Sequence, residues 1–129
     1  IGVRQRDGKR NIVLRRREGK RAPFEVAGKG IGALKEWYSV TENEISIEAE
    51  SVWFKIVFRF DSWGDGAETA AFFYSFDGEN YYRLGEELAL FYSLSIFVGA
   101  RIGIFSYNEE KTDGGWADFR EFIYRNKEE

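Results

Sequence analysis

The sequence predicts an all-β fold, an antiparallel sandwich or barrel, and three observations predict it. Apolar and polar residues alternate with period two along most of the chain, whereas the spacing of an amphipathic helix is hard to find. Turn signals such as Asp7-Gly8 and Asp77-Gly78 recur about every ten residues. Aromatic residues make up 18% of the 129 residues, a composition that favours pleated, half-buried surfaces. That length suits one domain with one core, spanning residues 1–129, and no repeat or linker divides it.

Taken in order, IGVRQRDGKRNIVLRR reads as a hairpin about Asp7-Gly8, because Asp-Gly supplies the two positive-φ positions of a tight turn. A turn at Glu18-Gly19-Lys20 leads to a short strand around Phe24 to Val26 and to the glycine-rich GKGIG at 28–32. After the polar TEN at 41–43 comes a strand at 45–50. Residues 52–60 place Val52, Phe54, Ile56, Phe58 and Phe60 on one face, read as core, and Trp53, Lys55, Val57 and Arg59 on the other. The loop DSWGDGAE precedes the strand TAAFFYSF, which turns at Asp77-Gly78-Glu79-Asn80 into YYRLG. EELALFYSL, at 86–94, fits either one helical turn or a connecting strand. Strands follow at 96–108 and at 116–125, and Asn126 to Glu129 read as a frayed tail. Phe54, Phe58, Phe72, Phe76, Phe105, Phe119 and Ile123 are assigned to the interior.

Composition removes whole chemistries. With no Cys, Met or His, the chain has no disulfide, no thiolate nucleophile, no histidine base and no Cys/His zinc site. No apolar run is long enough to span a bilayer, so no membrane partner is expected, and cytoplasmic and secreted settings both stay open. Charge is uneven: residues 1–21 hold nine basic and two acidic side chains, and the remainder 10 basic and 20 acidic. The basic stretch alternates with apolar residues, as a hairpin with a solvated face would, and can pair with the acidic remainder. A nucleic-acid footprint normally makes the whole domain basic, so no nucleic-acid partner is expected.

Three segments in order, FFYSFDGENYYRLG (72–85), IFVGARIGIF (96–105) and WADFREFIYR (116–125), resemble the C-terminal concanavalin A-like β-sandwich of glycoside hydrolase family 43 β-xylosidases and α-L-arabinofuranosidases. The resemblance covers about half the chain and implies a jelly-roll sandwich. The opening hairpin looks like one from the middle of that domain. Together with the absence of an initiator Met before Ile1, this leads us to expect part of a longer hydrolase and a sandwich incomplete on its N-terminal side. The resemblance further implies a parent enzyme acting on xylan- or arabinan-type glycosides, whose catalytic carboxylates sit on a separate N-terminal five-bladed propeller. This chain is then a non-catalytic partner of the propeller, with xylan or arabinan oligosaccharide as a second contact. An autonomous lectin-like module and a purely structural or interaction domain are the alternatives. Asp61, Asp65 and Glu68 are the one tempting acidic cluster, read as a solvated loop because no second feature supports catalysis there.

Sugar recognition needs flat rings to stack on pyranose C–H faces, with polar groups placed for the hydroxyls. Trp37, Trp53, Trp63, Tyr82, Tyr92 and Trp116 stand at strand edges, on polar faces or in loops, and are the candidate contacts to carbohydrate or to a neighbouring domain. Arg101 joins them. It interrupts the apolar IFVGARIGIF between Gly99 and Gly103, where relatives often carry an aromatic, and either pairs with an acidic neighbour or contacts sugar hydroxyls or the propeller. Asp118 stands in the Ala-Asp-Phe that in many concanavalin A-like domains helps hold a structural Ca²⁺. Arg120 replaces the second Asp of many relatives, and an exposed strand position is the competing reading.

Overall fold

The structure, a computed structural model, describes residues 1–20, 37–60, 68–90, 102–108 and 114–126. It divides into two compact units, Ile1–Leu94 and Ser95–Glu129. Among the described residues the first unit holds seven strands in two antiparallel sheets, and no helix occurs among the described residues of either unit. Strands β1 (Gly2–Arg6), β2 (Lys9–Lys20) and β3 (Trp37–Ile47) form sheet A in the order β1-β2-β3. Strands β4 (Trp53–Arg59), β5 (Thr69–Ser75) and β6 (Tyr82–Arg83) form sheet B in that order, and β7 (Leu88–Ala89) also pairs with β5.

The first hairpin forms where the Asp-Gly pair requires it. Asp7 and Gly8 both take positive φ, 51° and 73°, and the two-residue loop closes on the pair Arg6↔Lys9. That register places Val3 opposite Ile12, and Ile12 opposite Ile45, so one face of sheet A is apolar. The opposite face carries the charges. There Arg4 pairs with Glu42 at 2.6 Å and Glu44 at 2.9 Å, and Asn11 donates to the Glu44 carboxylate. The basic hairpin thus meets acidic residues of the next strand, as its alternation implies.

Two boundaries differ from expectation. Glu18, Gly19 and Lys20 are not a turn but continue β2, paired with Ser39, Tyr38 and Trp37. The strand expected at 45–50 instead runs from Trp37 to Ile47, so Thr41, Glu42 and Asn43 lie in β3 opposite Arg16, Arg15 and Leu14. The cause is cross-strand: polar residues read as loop locally, but acidic side chains facing arginines across a ladder are stabilised in it. The ambiguous stretch after Gly85 resolves in part, since Leu88 and Ala89 bridge to β5 as a strand. Phe24 to Val26, GKGIG and most of the DSWGDGAE loop lie outside the described residues.

The core sits between the sheets. Ile12 and Leu14 of β2 and Ile47 of β3 pack with Leu84 beside β6, and Val52, Phe72 and Tyr74 close around them. Contact is tight at Gly85, whose φ is +69°. A Cβ there would come within 2.8 Å of both the Asn43 side chain and Leu14. Arg16 reaches across, donating from Nη1 to the carbonyls of Glu86 and Glu87 at 3.4 and 3.3 Å.

In the second unit, the described residues 102–108 and 114–126 carry no strand, where the sequence expects two. A strand is defined by a ladder partner, and alternation alone supplies none. Phe105 and Tyr107 stack there at 5.8 Å between centroids. Phe105, Phe119 and Ile123 are exposed rather than interior, as are Phe54 and Phe76 in the first unit. Alternation reports which face a residue is on. Whether a second layer covers that face is not encoded in it.

Candidate functional site

Sheet B presents aromatic surface on both faces. The register Phe54↔Tyr74↔Tyr82 and Ile56↔Phe72 defines the face turned to sheet A. Its middle, Phe72 and Tyr74, touches the core, while its fringe does not. Phe60 is 61% exposed, Tyr82 56% and Phe76 45%. The rings organise one another: Tyr74 meets Phe76 edge-on at 5.5 Å and Tyr82 at 5.7 Å, and Phe58 stacks on Phe60 at 5.8 Å.

The other face follows from Trp53↔Ser75 and Lys55↔Phe73↔Arg83. The Lys55 ammonium lies 4.0 Å from the Tyr81 ring centroid and 5.2 Å from that of Phe73. Trp53, 41% exposed, sits against Gly78, where a Cβ would come within 3.3 Å of the indole. Gly78 takes φ +77°, and this turn is held by a closed set of hydrogen bonds. The fully buried Ser75 accepts at Oγ from the N–H groups of Gly78 (2.9 Å) and Asp77 (3.3 Å), and donates to Asp77 Oδ1 at 2.8 Å. Asp77 accepts in turn from the N–H groups of Glu79 and Asn80 and from the Asn80 side-chain amide. The Asn80 amide first, then those backbone donors and Ser75, hold the Asp77 carboxyl far below the usual carboxylate range. Its oxygens are occupied by protein donors, so the turn is a structural lock.

Of the residues singled out from sequence, Tyr82 lies on the aromatic fringe. Trp116, 83% exposed, and Asp118, also exposed, belong to the second unit. Trp37 opens β3, its backbone paired with Lys20. Arg101, Trp63 and Tyr92 lie outside the described residues, as do Asp61 and Asp65, while Glu68 accepts the Leu90 N–H at its carbonyl. Calcium requires about six to eight oxygen ligands. Among the described residues no group of three or more acidic side chains, Asp118 included, is arranged to hold a metal.

The sequence does not mark Lys55, Tyr81 or Phe76 as contact residues; Phe76 reads as interior. An exposed face carrying Trp53, Lys55 and Arg59 was legible, but the rings that receive the lysine come from β5 and from the residue before β6.

A family model described as the beta xylosidase C-terminal concanavalin A-like domain matches residues 1–125. Neither the curated proteins nor the solved structures yield a match.

Proposed function

Because the chain belongs to the family of beta xylosidase C-terminal concanavalin A-like domains, the accessory domains of family 43 glycoside hydrolases, we propose that it packs on the catalytic propeller of its parent enzyme. There it walls a pocket for xylan- or arabinan-type oligosaccharide without contributing catalytic groups. Residues 1–129 act as one domain in this reading. Tyr82 and Trp116, with Trp37, Trp63, Tyr92 and Arg101, are the contacts offered to propeller or sugar.

The observation that carries the reading is the aromatic fringe of sheet B. Burying a large apolar side chain contributes roughly 1.5–3 kcal/mol. Phe54, Phe60, Phe76 and Tyr82 forgo much of that, and exposed aromatic surface such as the Tyr74, Phe76 and Tyr82 group marks an interaction site. The edges of both sheets point the same way, since β1, β3 and β4 each lack a partner on one side among the described residues.

The reading is tested by mixing the chain with the separately produced propeller of its parent enzyme. Sedimentation and hydrolysis of xylobiose and of an arabinofuranosyl substrate are then followed. A stoichiometric complex with raised activity is expected. Two species that sediment independently, with activity unchanged, would overturn it.

A further inference from the structure

The outer face of sheet B combines a flat exposed ring with a cation that has no carboxylate partner among the described residues. Lys55 projects from β4 over Tyr81 and Phe73. Those rings attract the ammonium through their quadrupoles and fix its position, but they do not neutralise its charge. Arg83 stands in the same cross-strand row and adds a second positive charge to it. The acidic residue paired on this face, Glu87, is engaged by Arg59 at the far end of β4.

Trp53 stands two residues before Lys55 on the same edge strand and the same face, about 7 Å away at strand spacing. The bare Cα of Gly78 seats the indole, and the Ser75–Asp77 lock keeps Gly78 in place. A ring supported in this way is preorganised, so little freedom is lost when a ligand stacks on it. A neutral sugar would use the indole alone and leave the ammonium unmatched. A sugar carrying a carboxylate would use both.

We infer that Trp53 and Lys55 form a binding site for a uronate-bearing oligosaccharide, one pyranose stacking on the indole and the uronate carboxylate accepting from the Lys55 ammonium. This rests on the saccharide-contact reading above and deepens it, placing the acidic branch on the face of sheet B opposite Tyr82.

The test follows indole N–H signals of the ¹⁵N-labelled chain, with the Trp53 signal assigned by Trp53→Phe. The chain is titrated with xylotriose carrying one glucuronosyl branch and with unbranched xylotriose. The branched sugar is expected to shift the Trp53 signal and to bind about tenfold more tightly at low salt, as one charge-assisted hydrogen bond allows. Lys55→Gln is expected to abolish that preference and Lys55→Arg to keep it, with the other indole signals unmoved. Equal affinity for the two sugars, or a preference that survives Lys55→Gln, would overturn the inference. If the Trp53 signal stays still while another indole responds, this site fails and the wider saccharide reading stands. Silence of every indole toward both sugars would remove both.

Discussion

Ser75 is a small polar side chain with no exposure, and the turn after β5 depends on it. Its hydroxyl and the Asp77 carboxylate together satisfy four backbone N–H groups that the bend takes out of the ladder. A carboxyl whose folded pKa is depressed adds stability above its unfolded pKa, near 4, and loses it as pH falls through the folded value. Asp77 is depressed in this sense, and so is Glu44, held down first by Asn11 and then by Arg4. Stability should therefore fall as pH drops below about 4. Asp77→Asn should lower the urea midpoint at pH 7 and flatten, without abolishing, the acid limb, because Glu44 still titrates. An acid limb equally steep in the Asp77→Asn variant and in the unaltered chain would contradict this. Gly85→Ala combines a left-handed backbone with a Cβ 2.8 Å from Leu14 and Asn43, so we expect a loss of about 1–3 kcal/mol in urea denaturation.

Among the elements, β2 is central: it pairs with β1 on one side and β3 on the other, and supplies Ile12 and Leu14 to the core. Leu14→Ala should lower stability by about 2–5 kcal/mol, measured as a shift of the urea midpoint at constant slope. The opposite face of the same strand should matter less, since exposed ion pairs contribute about 0–1 kcal/mol. This strand also shows where sequence reading reaches its limit. The first hairpin was legible because Asp7-Gly8 specifies both turn type and register. The far half of β2 was not, because Glu18-Gly19-Lys20 looks like a turn until β3 is laid beside it. Likewise the polar TEN falls outside the strand expected at 45–50 until its Glu42 is seen to face Arg15. Local signals gave the turn-proximal ladder, and long-range charge pairing set the rest.

On the scale of the whole molecule, the governing feature is exposed apolar surface among the described residues. The alternation of β4 marks two faces, and the structure keeps them, with Ile56 and Phe58 half-buried and Lys55 and Arg59 exposed. What could not be read was coverage: Phe54 and Phe76, assigned to the interior, are exposed and stand outside the core cluster of Ile12, Leu14, Ile47 and Leu84. The family resemblance, carried by ordered motifs such as Tyr-Ser-x-Asp-Gly, was legible because the Ser75–Asp77 lock demands those residue types at that spacing. The lysine over Tyr81 was not, since its rings come from β5 and from the residue before β6. The most direct measurement is hydroxyl-radical footprinting of Phe54, Phe60, Phe76 and Tyr82 in the isolated chain and in the parent enzyme. The rings are expected to react readily in the chain alone and to be shielded at least severalfold in the enzyme. Equal reactivity in both, or rings already shielded in the isolated chain, would contradict it.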